Sequence, residues 1–359
     1  MEILRLPVEG YEEVYKATDP RAGLTAFIAV HDTTLGPALG GCRMWHYTRE
    51  EDAITDALRL SRGMTYKSAV ARTGLGGGKA VIVGDPKTEK TPELFKAMGR
   101  FVHTLAGRYT TAEDVGTNEK NMMAVRSTTP FVSGLPRAEG GSGDPSPYTA
   151  LGVYEGLCAS VEAAFGSDDV SNKTVAIQGI GNVGYGLGKL LRDAGAKLLI
   201  TDVNEAKLAR VADELGATVV APNDIYGVEA DVFAPCALGA ILNDRTIPQL
   251  KCKVVAGGAN NQLAEDRHGE ELVRRGVLYA PDFVINTHIH GDHVGGNINV
   301  SVEFAPSGYD ETASLVRVKN IRRAIADIVR TSREQEIPTS QAALVLAEQI
   351  LTDARKAKA

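Results

Sequence analysis

The sequence has no block of basic residues, no apolar run long enough to cross a bilayer, no internal repeat and no low-complexity tail. With a formal net charge of −6, neither a nucleic-acid backbone nor an anionic membrane surface is an expected partner. A membrane-spanning helix needs about 20 consecutive, mostly apolar residues. The amino terminus, MEILRLPVEGYEEV, is too acidic and too interrupted to read as a signal peptide. Cysteine is scarce: Cys42, Cys158, Cys236 and Cys252 are scattered and form no C-x-x-C pair. Thiols so arranged read as reduced and mostly buried, in a cytoplasmic protein.

What is present is an alternation of short apolar runs and amphipathic stretches. The 359 residues suggest two domains, and a hydrophobic content of 43% is enough for substantial cores. The stretch from 173 to 202 organises the rest. Residues 175–177 form a short apolar strand that runs into Gly179-Ile180-Gly181-Asn182-Val183-Gly184. A helix follows with Val183, Leu187, Leu190 and Leu191 on one side, then a second apolar strand at 198–200 and then Asp202. A G-x-G-x-x-G string alone is weak. Strand, turn, helix, strand and acid in this order supply the context of a dinucleotide-binding unit. Gly179 would allow the tight turn, Gly181 the close approach of a pyrophosphate, and Gly184 the packing of helix on strand. The helix N-terminus offers amide N–H groups and partial positive charge to the phosphates. Asp202 is placed to accept hydrogen bonds from the adenosine ribose and to repel a 2′-phosphate, so NAD is expected over NADP. The plain alternative, an ordinary βαβ unit with a glycine-rich turn, is disfavoured by that aspartate.

Before this unit, 26–30 reads as a strand and HDTTLGPALGGCRMW as a turn-rich loop, because of Gly36, Pro37, Gly40 and Gly41. Residues 50–62 read as a helix with Lys67 beyond its end. Lys79 lies between Gly76-Gly77-Gly78 and a strand at 80–83; 92–105 is a second helix. Glu113 and Asp114 precede a helix start. EGGSGDPSPYT, 139–149, has the composition of a hinge, and 151–164 is a helix leading into the dinucleotide unit. Beyond Asp202, a helix at 205–214 and strands at 217–220, 232–234, 254–256 and 277–280 continue a mainly parallel, doubly wound sheet. Residues 312–331 and 340–356 read as two closing helices. The expected fold is α/β with two domains.

Two lysines flanked by glycine stand out, in GMTYK and GGGK. One can pair with a carboxylate. The other, desolvated near a like charge, can exchange protons near neutral pH. Either alone would be an ordinary surface lysine. Asp114 is a candidate acid/base partner, or else a helix cap before Thr117. GGGK is not a phosphate loop, because Ala80 follows the lysine.

GPALGG, GMTYK, GLGGGKAVI, TAEDVGT, GDPSPYTALGV, DVFAPCALG, GGANNQL and APDFVIN, with the dinucleotide fingerprint, resemble the leucine/valine/phenylalanine branch of the amino-acid dehydrogenases, within the glutamate dehydrogenase superfamily. The similarity covers nearly the whole chain. It implies an N-terminal substrate and oligomerisation domain (1–145), a C-terminal Rossmann domain that binds NAD (146–330), closing helices (331–359) packing back toward the first domain, and catalysis in the cleft between the domains. It implies NAD-dependent, reversible oxidative deamination of an L-amino acid to a 2-oxo acid and ammonium, in a homo-oligomer. By the same resemblance Lys67 would hold the substrate carboxylate. Lys79 would activate water and polarise the attacked carbon, and Asp114 would exchange protons with the amine. Gly40, Gly41, Gly77 and Gly78 would line the polar end of the substrate, and Leu39 and Ala112 would face its side chain. Gly179, Gly181, Asn182, Val183, Gly184 and Asp202 would bind NAD, with Cys236, Ala237 and Asn261 near the nicotinamide. TAEDVG resembles the leucine/valine type, since aromatic-preferring relatives tend to have glycine at the position of Ala112. A branched aliphatic substrate is therefore expected.

One segment departs from the family pattern. After VIN the family has a short Ala-Gly-Gly, an apolar residue and Ile-Asn-Val. Here Asn286 is followed by THIHGDHV and only then by Gly295-Gly296-Asn297-Ile298-Asn299-Val300, eight residues where one is expected. Asn297 stands at the position that would touch the substrate side chain. His288, His290, Asp292 and His293 spell the HxHxDH pattern of the metallo-β-lactamase superfamily, whose ligand types suit zinc. This raises the alternative of a zinc hydrolase. No histidine follows His293, and the surrounding chain reads as a doubly wound sheet rather than an αββα sandwich. The expectation is an incidental metal site in a dehydrogenase fold, with altered or reduced turnover and no metal required.

Overall fold

The computed structural model describes residues 1–286, 294–305 and 308–358, with side chains except at 294–297. The HxHxDH segment therefore lies outside the described residues, as does the side chain of Asn297. The chain divides into two units. One comprises Met1–Asp144, His288–Ser314 and Ala347–Ala359; the other comprises Pro145–Thr287 and Leu315–Leu346. This differs from a single second domain at 146–330. The described residues from 294 to Ser314 group with the first unit, and of the closing segment 331–359 only the part from Ala347 does so.

Among the described residues, the first unit carries a six-stranded sheet: β1 (Glu2–Arg5), β2 (Glu13–Asp19), β3 (Leu24–Asp32), β4 (Ala38–Trp45), β5 (Gly76–Val83) and β6 (Tyr109–Glu113), in the order β1-β2-β3-β5-β4-β6. The β1/β2, β2/β3 and β3/β5 pairs are antiparallel, and β4 runs parallel to both β5 and β6. Helices α1 (Glu50–Val70), α2 (Pro92–Thr104) and α3 (Glu119–Arg126) complete it. Successive strand side chains point to opposite faces. Accordingly Phe27, Ala29 and Val81 pack with Ala53 and Ala57 of α1, while Ala26, Ile28 and Val30 pack with Phe95, Met98 and Phe101 of α2. Burial on both faces explains why 26–30 reads as an unbroken apolar run.

Three expectations fail here. The turn-rich loop contains strand β4, and the glycines before Lys79 belong to β5 rather than preceding it. Glycine is a poor strand former, so the local pattern points away from pairing. Helix α1 runs past Arg62 to Val70, so Lys67 lies in its last turn. Met64 to Val70 are all buried, which erases the amphipathic pattern by which a helix is recognised.

In the second unit, α4 (Ser146–Phe165) precedes β7 (Thr174–Gln178), α5 (Asn182–Asp193), β8 (Lys197–Thr201), α6 (Glu205–Leu215), β9 (Thr218–Val219), β10 (Val232–Pro235), β11 (Val254–Val255), α7 (Arg267–Arg274), β12 (Leu278–Tyr279) and α8 (Asp282–Ile285). These six strands are all parallel, in the order β12-β11-β10-β7-β8-β9. The chain leaves β7 toward β8 on one side and later returns to pair β10 on the other. The end of β7 is therefore a topological switch point, where open α/β sheets bind ligands.

Helices α9 (Val294–Ser301), α10 (Glu311–Lys319), α11 (Ile321–Gln335) and α12 (Thr339–Lys358) follow. The expected single helix at 312–331 is broken at Asn320, whose N–H donates 3.0 Å to the Arg317 carbonyl in a tightened final turn. The end of α12 is tied to the first unit: the Tyr66 hydroxyl donates to Glu348 at 2.5 Å, Arg355 pairs with Asp32 at 2.5 Å, and Lys358 donates to the Thr34 carbonyl at 2.6 Å. No described helix is long and apolar enough to cross a membrane.

Candidate active site

In the first unit, β5, β4 and β6 lie side by side with Leu39 opposite Gly77 and Gly41 opposite Ala112. That register puts Lys79, two residues on from Gly77, and Asp114, which follows β6, within reach of each other. Lys79 Nζ and Asp114 Oδ2 form an ion pair with both side chains 0% exposed. Taking two charges out of water is expensive, and the pair needs further bonds to hold it. The Val115 N–H donates 2.5 Å to Asp114 Oδ1, and Arg43 Nε stands 3.7 Å from Asp114 Oδ2. Asp114 is not a helix cap. Asn118 caps α3, in a reciprocal capping box with Asn121.

Lys67 is buried, at 6% exposure. A side chain on Gly77 would overlap the Thr65 amide nitrogen, so the last turn of α1, which carries Lys67, rests directly on the backbone of β5. A Cβ at Gly40 would overlap the Gly78 carbonyl oxygen, one at Gly41 would lie 2.7 Å from Asp114 Cβ, and one at Gly78 would lie 2.6 Å from the Tyr109 ring. These four glycines are thus required by packing, whatever else they touch. Leu39 and Ala112 are buried, and Leu39 packs with Leu75 and Val300. Sequence reading did not single out Val300. It lies three residues after position 297 on α9, and the helical i, i+3 spacing was the available signal.

In the second unit, Gly179 has φ +91°, and a Cβ there would stand 2.6 Å from that of Ala237. Glycine alone accepts that backbone without strain. A Cβ at Gly184 would overlap the Gly179 carbonyl oxygen, whereas one at Gly181 would meet nothing within 4 Å. Gly181 precedes α5 with no side-chain cap, so no N-cap side chain accepts from the first amides of the helix, which begins at Asn182 and Val183. An open glycine, a tight turn and an uncapped helix start fit the pyrophosphate of a dinucleotide. Asp202 accepts the Ile180 N–H at 2.8 Å and the Asn204 N–H at 2.9 Å, one on each oxygen. A carboxylate has about four acceptor positions, so acceptors remain for ribose hydroxyls. The Cys236 amide donates 2.7 Å to the Gln178 carbonyl, and the Gly258 N–H donates 3.4 Å to its sulfur. Burial pushes the Cys236 thiol up to about 11, so it stays neutral. Asn261 has φ +46°, and its carbonyl accepts the Ala240 N–H at 2.6 Å. The loop that bears it is held by Asn286, fully buried, whose amide donates 2.6 Å to the Gly258 carbonyl and 2.8 Å to Asn260 Oδ1.

Among the described residues, Asp244, Glu265 and His268 come near enough to share a cation. Arg267 already holds both carboxylates, at 2.7 and 2.9 Å, and His268 Nδ1 accepts the Glu265 N–H at 2.9 Å. This is an ion-pair network at the start of α7.

The model for the Glu/Leu/Phe/Val dehydrogenase dimerisation domain matches residues 11–131, and that for glutamate/leucine/phenylalanine/valine dehydrogenase matches 199–359. The chain is 51% identical to the leucine dehydrogenase of Geobacillus stearothermophilus over 348 residues, 97% of this chain and 92% of that protein. It is 46% identical to the phenylalanine dehydrogenase of Lysinibacillus sphaericus, over 94% of this chain and 87% of that one. The crystal structure of L-tryptophan dehydrogenase from Nostoc punctiforme superposes with a TM-score of 0.87 at 42% identity, covering 97% of each chain. All of these are dehydrogenases, and none supports the zinc-hydrolase alternative. A buried lysine–aspartate pair on a mixed sheet, a dinucleotide turn on a parallel one and similarity along nearly its whole length show that the chain belongs to the glutamate/leucine/phenylalanine/valine dehydrogenase family, whose members are NAD(P)-dependent.

Proposed function

We propose that the protein catalyses NAD-dependent, reversible oxidative deamination of a branched aliphatic L-amino acid to its 2-oxo acid and ammonium, as a homo-oligomer. The observation that carries this reading is the fully buried Lys79–Asp114 pair. A structural pair so deeply desolvated brings little net stability, whereas a lysine held beside a carboxylate and away from water is suited to proton exchange.

In this reading Lys67 binds the substrate carboxylate. Gly40, Gly41, Gly77 and Gly78 leave the polar end of the substrate unobstructed. Leu39, Ala112 and Val300 offer it an apolar surface. Bound NAD supplies the hydride acceptor. Lys79, unprotonated, takes a proton from the water that attacks the imine carbon, and its cationic form stabilises negative charge there. Asp114 carries a proton to the departing amine. Burial keeps bulk water from competing. On the cofactor side, Gly179, Gly181, Gly184, Asn182 and Val183 receive the pyrophosphate, while Cys236, Ala237 and Asn261 border the nicotinamide.

Leucine, valine and isoleucine with NAD should each give a rise in NADH absorbance, with kcat/KM well above that for phenylalanine. Higher efficiency with phenylalanine than with all three would refute the branched-chain assignment. NADP should be a poor substitute because of Asp202. Asp202→Ser should lower the NAD:NADP ratio of kcat/KM by about 10-fold or more, a difference of about 1.4 kcal/mol. It should also raise the KM for NAD, since the Ile180 N–H loses its carboxylate acceptor. An unaltered enzyme that used both cofactors equally would remove Asp202 from cofactor choice.

A further inference from the structure

Arg43, on β4, stands with Nε 3.7 Å from Asp114 Oδ2, the same oxygen that pairs with Lys79. Its Nη1 donates 2.9 Å to Asp56 Oδ2 on α1. Asp56 also accepts the Tyr47 hydroxyl at 2.6 Å and Arg59 at 3.0 Å. Burial pushes the Asp56 carboxyl up, but its bonds to Tyr47, Arg43 and Arg59 outweigh this and hold it below the usual carboxylate range. The side chains of Arg43 and Asp56 are only 14% and 16% exposed, so their charges are poorly screened. We propose that Arg43 is a positioning residue that holds Asp114 against Lys79 and biases the lysine toward its neutral, proton-accepting form, and that Asp56 both orients Arg43 and moderates its charge.

The catalytic pair is neutral as a unit, so the next charge outward sets its balance. A cation near a lysine favours the amine over the ammonium. Three nearby titratable groups add no charge. Burial pushes the Cys42 thiol on β4 up, as it does the Tyr109 phenol on β6, and both stay protonated. Burial and the bond to Asp56 do the same to Tyr47. On β3, Ala29 lies opposite Lys79. Lys67 on α1 and Glu113, next to Asp114, are further ionisable neighbours by position. Arg43, 3.7 Å from Asp114, and Asp56 behind it are charges through which the pair can be adjusted from the α1 side.

The inference rests on Lys79 acting as the base, and the test separates the two claims. The pH dependence of kcat for leucine deamination is measured on the full chain for Arg43→Gln, Arg43→Lys, Asp56→Asn and the Arg43→Gln/Asp56→Asn double variant, with NADH binding followed by fluorescence. Removing the cation lets the lysine keep its proton to higher pH, so Arg43→Gln should move the acid limb up by about one pH unit. Asp56→Asn removes one negative charge from beside Arg43 and should move it down by about half a unit. Arg43→Lys should restore the original position, and the double variant should fall between the single ones. An unmoved limb in Arg43→Gln, or shifts of the same sign in Arg43→Gln and Asp56→Asn, would overturn the proposal. Should Arg43→Gln fail to fold, Asp56→Asn decides, and an unmoved or raised limb there is the contrary result. If Lys79→Ala retains turnover, the assignment of the base fails. If that variant is dead and the limbs stay put, only the role of Arg43 fails.

Discussion

Lys79→Ala should lower kcat for amino-acid deamination by about 10³-fold, within the range that a positioned acid–base group contributes. NADH affinity should change by less than about two-fold, because the residues assigned to the cofactor belong to the second unit, whereas Lys79 belongs to the first. Breaking a fully buried pair also costs stability, of order 3–5 kcal/mol when one charge is left behind. Here Arg43, 3.7 Å from Asp114, reduces that cost. The variant should therefore melt earlier yet still fold at low temperature, where turnover is measured. Asp114→Asn should lower kcat to a similar degree with less loss of stability, since the amide keeps the volume and can still accept the Val115 N–H. Near-normal kcat in folded Lys79→Ala would take the lysine out of proton transfer.

Two glycines of the same turn, Gly181 and Gly184, are opposite in physical role and give the second large effect. Gly181→Val should leave the melting temperature within a few degrees of the unaltered protein, because a Cβ there meets nothing within 4 Å. It should raise the KM for NAD by about 100-fold or more, because the added methyls occupy the space the pyrophosphate needs. Gly184→Val should do the reverse. Its Cβ would overlap the Gly179 carbonyl oxygen, so the start of α5 must move off the turn and the fold loses stability. Thermal melts and NADH titrations on both variants check this. Tight NADH binding by Gly181→Val would place the phosphates elsewhere.

The comparison of Gly181 and Gly184 shows how far local pattern reaches. G-x-G-x-x-G between two apolar runs, followed by Asp202, was legible because strand, turn and helix each follow from short-range preferences. The part of the chain around Lys79 was not legible in the same way. Gly40 and Gly41, read as a loop, lie inside β4, and Gly76 to Gly78 lie inside β5. Each is glycine because another segment crowds it: the Gly78 carbonyl on Gly40, Asp114 on Gly41, Thr65 on Gly77 and Tyr109 on Gly78. Those contacts join different elements of the fold, from Thr65 on Gly77 to Asp114 on Gly41, and leave no trace in local periodicity.

By itself the sequence determined the two-domain α/β plan and the glycine-rich turn between two apolar strands, since these follow from hydrophobic period and turn chemistry. Only the tertiary structure decided that Lys67 ends a long helix, that Lys79 and Asp114 form one buried pair, and that Arg43 and Asp56 extend it outward. It also decided that the described residues after 293, up to Ser314, group with the first unit rather than with the parallel sheet. The physical reason is common to all of these. Burial and pairing depend on which distant backbone the glycines admit, and that is settled by the register of β4, β5 and β6 rather than by any neighbour in the chain.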